Sequence, residues 1–190
     1  MATGSNSTAN VSLGKGVQGG YLYVAPYGTS LPTDYSSELS SEWTCLGYIT
    51  EDGVTETPEE STTEVFDRNG DTILEEQATS KRTIHTALAE TKLATLQEYF
   101  GDDCVTDEDG VITVMEVSGK HVIKSYVHDM LFSGDRHYRL VIPKGLVTEV
   151  DEVTYSSGDV VSWGTTMTEL PDDSGVRSYR YIESTETSAE

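Results

Sequence analysis

The chain has 190 residues, with 33 acidic and 12 basic side chains, a formal net charge of −21 and 36% apolar residues. That length suits one domain or one domain with extensions, and no window is long and apolar enough to form a membrane-spanning helix. The acid excess argues against a stable phosphate-binding surface, because nucleic-acid binders concentrate Lys and Arg to release counterions; it suits solubility, or a surface that repels polyanions.

Met1–Gly20 is rich in Ser, Thr, Asn and Gly and reads as a flexible arm, without the basic and apolar regions of a signal peptide. Gly14, Gly16 and Gly19 match GxGxxG, but a polar arm precedes them and a strand follows, so the strand–turn–helix context of a dinucleotide site is missing. Gly20–Ala25 (GYLYVA) is a strand. Pro26–Trp43 is a long loop of turn residues, a feature that is usually functional inside a compact domain. Thr44–Thr50 is a short strand and Glu51–Glu60 an acidic connection. Asn69-Gly70 signals a type I′ hairpin joining Ser61–Arg68 to Asp71–Thr79.

The stretch Thr79–Gly101 organises the rest. Ile84, Thr86 and Leu88 alternate with Thr83, His85 and Ala87 at the period of a half-buried strand. Leu93, Leu96 and Phe100 then fall on one helical face, with Thr91 placed as N-cap and Gly101 as a left-handed C′ residue. This helix is too short to stand alone and must lie on a sheet. Ser118-Gly119 is expected to join Val111–Val117 to Lys120–Phe132, and Ser133-Gly134-Asp135 to lead into Arg136–Ile142. Ser157-Gly158 is expected to join Gly145–Tyr155 to Asp159–Leu170, and Asp172–Gly175 to lead into Val176–Ile182 before a polar tail. The pattern predicts a mainly β fold: two packed antiparallel sheets, a sandwich or partial barrel, with one flanking short α-helix. Residues 1–19 form the arm, 20–182 the domain and 183–190 the tail.

Catalytic patterns are scarce. His85, His121, His128 and His137 lack HxH or HExxH spacing, no GxSxG occurs, and Cys45 and Cys104 read as free thiols. Asp67, Asn69 and Asp71 begin like a calcium loop, but Thr72 and Ala78 stand where its glycine and glutamate belong. Asp102, Asp103, Asp107, Glu108 and Asp109 crowd what reads as a solvated loop. No catalytic, cofactor or metal residue is assigned.

The runs APYGTSLPTD and LGYITEDGVT, then Leu88-Ala89-Glu90 leading to Tyr99-Phe100-Gly101, RLVIPKGLVTEVDEVTY (Arg139–Tyr155) and TELPDDSG resemble the major tail proteins of phages with long, non-contractile tails, especially those of actinobacterial hosts. The resemblance covers Gly20 to about Ile182. It implies a structural virion protein, assembled in the host cytoplasm, whose hexameric rings stack into the hollow tail tube that conducts DNA without specific binding. It also implies tape measure, tail tip and tail terminator proteins as partners, and no membrane. Within it, Glu64, Asp67, Glu75 and Glu76 are candidates to face the lumen. Tyr27, Leu31, Tyr35, Leu39 and Trp43 are candidates for ring-to-ring contact, being wasted on solvent in a lone subunit. The rival readings are a virion decoration or carbohydrate-binding sandwich using Tyr21, Tyr23 and Tyr27, and a metal-dependent hydrolase using Asp102–Asp109.

Overall fold

The computed structural model describes residues 11–17, 21–117 and 120–185. The protein is mainly β, with a large antiparallel sheet, a small second sheet and one helix. In chain order the elements are β1 (Lys15–Gly16), β2 (Leu22–Pro26), β3 (Thr44–Cys45), β4 (Ile49–Phe66), β5 (Thr72–Leu88), α1 (Leu93–Phe100), β6 (Val105–Glu108), β7 (Val111–Val114), β8 (Lys124–Phe132), β9 (Arg136–Val150), β10 (Trp163–Glu169) and β11 (Tyr179–Ile182). The chain falls into two compact units. The first is Met1–Tyr48, Ile123–Gly145 and Pro171–Glu190, and the second Ile49–Val122 and Leu146–Leu170.

In the first unit β2 lies between β3 and β8, and the first part of β9 lies between β8 and β11. Tyr23, Val127, Val141 and Tyr179 line up across the strands, and Val127 and Val141, with Ala25, form a core covered by Trp43, Leu31 and Leu39 from the 26–43 loop, with Tyr181 beside it. The opposite row of Leu22, His128 and Leu140 is buried as well. Sequence reading ends a strand at Ile142, yet β9 continues through Pro143 to Val150. The proline falls at a register irregularity, where its missing N–H breaks no ladder bond, and the Ser125 hydroxyl donates to its carbonyl at 2.7 Å.

Part of the N-terminal arm is held: β1 pairs with Met130 and Leu131, the Leu13 N–H donates to Ser133 Oγ, and Arg136 donates to Ser12 Oγ. The expected flexible arm otherwise falls on residues 1–10 and 18–20, outside the described residues. So does the tail from 186 onward, while Glu183 bonds the His137 backbone with both its N–H and its carboxylate.

The second unit is built on β4, β5, β10 and the end of β9. Ile84, Leu88, Trp163 and Met167 form its buried face, and α1 adds Leu96, with Tyr99 edge-on to Trp163 at 5.2 Å. Thr91 does not cap α1. Lys92 is the N-cap residue, and Thr91 Oγ1 accepts instead from Trp163 Nε1 at 3.2 Å, tying the helix entry to the sheet. Gly101 ends the helix at φ 96° and ψ 149°, a glycine conformation but not the left-handed helical one expected. β7 pairs with β6 rather than with β8. Asp109 and Gly110, at φ 52° and 77°, make the two-residue turn with both φ positive. The acidic run 102–109 is therefore a short 3-10 turn and a strand, not a loop.

Candidate assembly surface

The feature that stands apart is the β4–β5 hairpin. Glu51–Glu60, read above as a connection, is strand: Gly53, at φ 72°, sits in a register shift between Ile49 and Val54, after which β4 pairs with β5 continuously to Thr57 and beyond. Its turn is not type I′, since only Gly70, at φ 91°, has positive φ. Asp67 builds it: Oδ1 accepts the N–H groups of Asn69 at 2.7 Å and Asp71 at 2.9 Å. Those bonds hold the Asp67 carboxyl below its usual range. Asp172 makes the same turn with Ser174, Val176 and Gly175.

From Pro58 to Thr79 the two strands are exposed on both faces. At about 3.4 Å per residue, Pro58–Phe66 reaches roughly 30 Å. β10 covers the edge of β5 only along Thr83–Leu88, and β4 ends the strand order, so among the described residues the ribbon has two open edges. Such a ribbon is marginal in water by itself, and open edges are templates for further strands.

Between Pro58 and Thr79 lie Glu59, Glu60, Glu64, Asp67, Asp71, Glu75 and Glu76 against a single basic residue, Arg68. Glu64 stands directly opposite Glu75, an unfavourable like-charge pair, whereas Glu76 faces Thr63 and so lies on the other side of the ribbon. At the tip Val65, Phe66, Ile73 and Leu74 are 43%, 56%, 64% and 54% exposed; Val65 is paired with Leu74, and Phe66, next along the strand, points to the other side, so the tip is apolar on both faces. Sequence reading passed over these four, although VF and IL flank the turn symmetrically where alternation would have placed polar residues.

The five aromatic and aliphatic residues of the long loop sit differently from the premise that solvent would waste them. Trp43 is buried, and Leu31 and Leu39 pack on the core of their own unit. Tyr35 stacks on His137 at 6.0 Å, and Tyr27, 46% exposed, has the Lys144 ammonium 5.3 Å from its ring centre. Arg139 fastens the loop. It is bidentate to Asp129 at 2.6 and 2.9 Å and donates to the carbonyls of Asp34 and Ser37. Tyr23 lies in that core too, so Tyr21, Tyr23 and Tyr27 are not one exposed aromatic platform. Among the described residues no group of three or more His, Cys, Asp or Glu can hold a metal ion. The two cysteines are free thiols.

A family profile described as phage tail tube protein matches residues 16–190. The chain belongs to the phage tail tube protein family. Membership makes this tail tube protein a structural component of the bacteriophage virion, with self-assembly into a tube as its role. No curated protein matches the chain. In this tail tube protein the ribbon keeps its edges open among the described residues, whereas the long loop spends most of its apolar surface inside its own unit.

Proposed function

We propose that this tail tube protein forms hexameric rings that stack into a hollow tube, and that the β4–β5 ribbons of neighbouring subunits join edge to edge around the channel through which DNA passes. The observation that carries this reading is the ribbon itself, exposed on both faces and open along both edges. Closing such ribbons into a barrel removes every open edge at once. The acid excess of the ribbon supplies a field that keeps phosphate from sticking; Glu64, Asp67, Glu75 and Glu76 are the candidates, of which Glu64 and Glu75 share one face and Glu76 lies on the other, so the channel sees one set directly. The apolar tip, and Tyr27 where it emerges from the long loop, are the surfaces left to meet the next ring. The tape measure, tail tip and tail terminator proteins are its further partners, and assembly takes place in the host cytoplasm.

The test is light scattering over a concentration range together with electron microscopy of the purified chain. Rings with sixfold averaged symmetry and tubes built from them are expected. A compact monomer at every concentration, with or without tail tips added as seeds, would overturn the proposal.

A further inference from the structure

The register of the hairpin separates its two faces. β4 is regular from Val54 to Val65, the one irregularity on that stretch being the extra Ala78 of β5. Side chains therefore alternate along it: Thr55, Thr57, Glu59, Ser61 and Thr63 point one way, and Glu56, Glu60, Thr62 and Glu64 the other. The second face is continuous with the subunit core, since Glu56 lies opposite Ile84, which is 3% exposed, and in β5 Thr86 and Leu88 follow on that side. It is closed off by the protein's own packing at its base.

The first face is of another kind. Thr57 lies opposite Thr83, and Thr83 opposite Thr168. The Thr168 hydroxyl is 3.2 Å from that of Thr148, which completes a row of four threonines across β4, β5, β10 and β9. Further out, the Ser61 and Thr79 hydroxyls meet at 2.5 Å. The basic groups here have acids beside them: Glu59 stands directly opposite Lys81, and His85, opposite Thr55 and Thr166, is hydrogen-bonded to Asp151.

We infer that this hydroxyl face is the wall that DNA meets in the tube, so that Glu76 stands over the lumen while Glu64 and Glu75 point away from it. The inference rests on the ring-and-tube reading above and specifies which side of the ribbon the channel sees. The hydroxyl face is the more open at its base: Thr83 and Thr168 are 8% exposed there, but His85 and Thr166 are half-buried and Thr148 is exposed, whereas the other face carries the apolar core residues Ile84, Leu88, Trp163 and Met167. Its chemistry suits a passing polyanion: hydroxyls hold a layer of water, and the Lys81 ammonium has an acid directly across from it, so no isolated cation is there to hold a phosphate.

Thiol labelling of assembled tubes tests this. In a Cys45→Ser background, where Cys104 is buried at 2% exposure and silent, single cysteines are placed by Thr57→Cys and Glu76→Cys on one face and by Glu64→Cys on the other. Ser61→Cys serves in place of Thr57→Cys if that variant does not assemble. Tubes are treated with N-ethylmaleimide or with a maleimide carried on a polyethylene glycol too large to enter. The hydroxyl-face thiols should react with the small reagent at least tenfold more completely than with the large one, and the Glu64→Cys thiol should not show this difference. A tenfold difference at Glu64→Cys with none at Thr57→Cys or Ser61→Cys would overturn the assignment of faces. Failure of the unaltered chain to form tubes would instead defeat the reading beneath it.

Discussion

Gly164→Ala should destabilise the second unit through a single side chain. A Cβ built on Gly164 would lie 2.1 Å from Asp151 Oδ2 and 2.6 Å from its Cγ. That carboxylate is not a loose end. It is bonded to His85 Nε2 at 2.7 Å, the Asp151 N–H donates to the Gly164 carbonyl at 2.9 Å, and the Tyr99 hydroxyl donates to the Asp151 carbonyl. Relief requires Asp151 to leave His85 and the end of β9 to shift. Overpacking of this kind costs about 1–3 kcal/mol. The His85–Asp151 bond, with side chains 40% and 47% exposed, adds at most about 1 kcal/mol, for an expected loss of about 1–4 kcal/mol, centred on about 2 kcal/mol. Asp151→Gly alone should cost about 1 kcal/mol from the lost bond and the added chain freedom. In the double variant the clash is absent, so its loss should stay near about 1 kcal/mol, a coupling of about 2 kcal/mol. Urea unfolding of dilute subunits, followed by tryptophan fluorescence, reads these values as midpoint shifts at constant slope. Additive losses would show that the Asp151 side chain yields freely and that the close approach constrains nothing.

Burial pushes the His128 imidazole down to about 4, against 6.5 for the free group, so the unfolded chain binds the extra proton and the folded one resists it. Stability should therefore be full above about pH 6.5 and fall by about 3 kcal/mol as pH drops to about 4; His128→Gln should flatten that part of an unfolding-against-pH curve, and an unchanged slope would count against it. Arg139→Met leaves Asp129 with its charge uncompensated and frees the 26–43 loop, an expected loss of about 3–5 kcal/mol by urea unfolding; a loss under about 1 kcal/mol would mean the loop is held by its apolar contacts alone. Replacing the 26–43 loop by a short Gly-Ser linker should collapse the β circular dichroism signal, because Trp43, Leu31 and Leu39 belong to the core; near-native spectra with loss of tubes alone would instead return the loop to ring stacking. Phe66→Ser with Leu74→Ser should move the unfolding midpoint little, since both side chains are exposed in the subunit, yet abolish tubes in sedimentation; intact tubes would remove the tip from assembly.

The fold class was legible because alternation along Ile84–Leu88 and the helical spacing of Leu93, Leu96 and Phe100 are local signals. Turn identity was less so. Asn69-Gly70 carries the hairpin dipeptide, but the side chain of Asp67 reaches two backbone N–H groups and sets a different turn, while Asp109-Gly110, inside an acidic run, makes the turn that Asn69-Gly70 advertises. The length of β4 was hidden because Glu51–Glu60 pairs without being buried, and an exposed strand on an open hairpin has no apolar period to read. The fate of the long loop was hidden for the opposite reason: Trp43, Leu31 and Leu39 have no regular spacing, and the partners that hold the loop on the sheet, the core residues Val127 and Val141 and the buried Arg139, are distant in sequence.

The most direct measurement is negative-stain microscopy of two purified chains, the natural one and a variant in which Pro58–Thr79 is replaced by a short Gly-Ser turn between Thr57 and Ser80. The account predicts tubes from the first, and from the second folded subunits with native unfolding behaviour and no tubes at any concentration. Tubes of the same diameter from the shortened chain would contradict it, because the ribbon would then be dispensable for closing the channel.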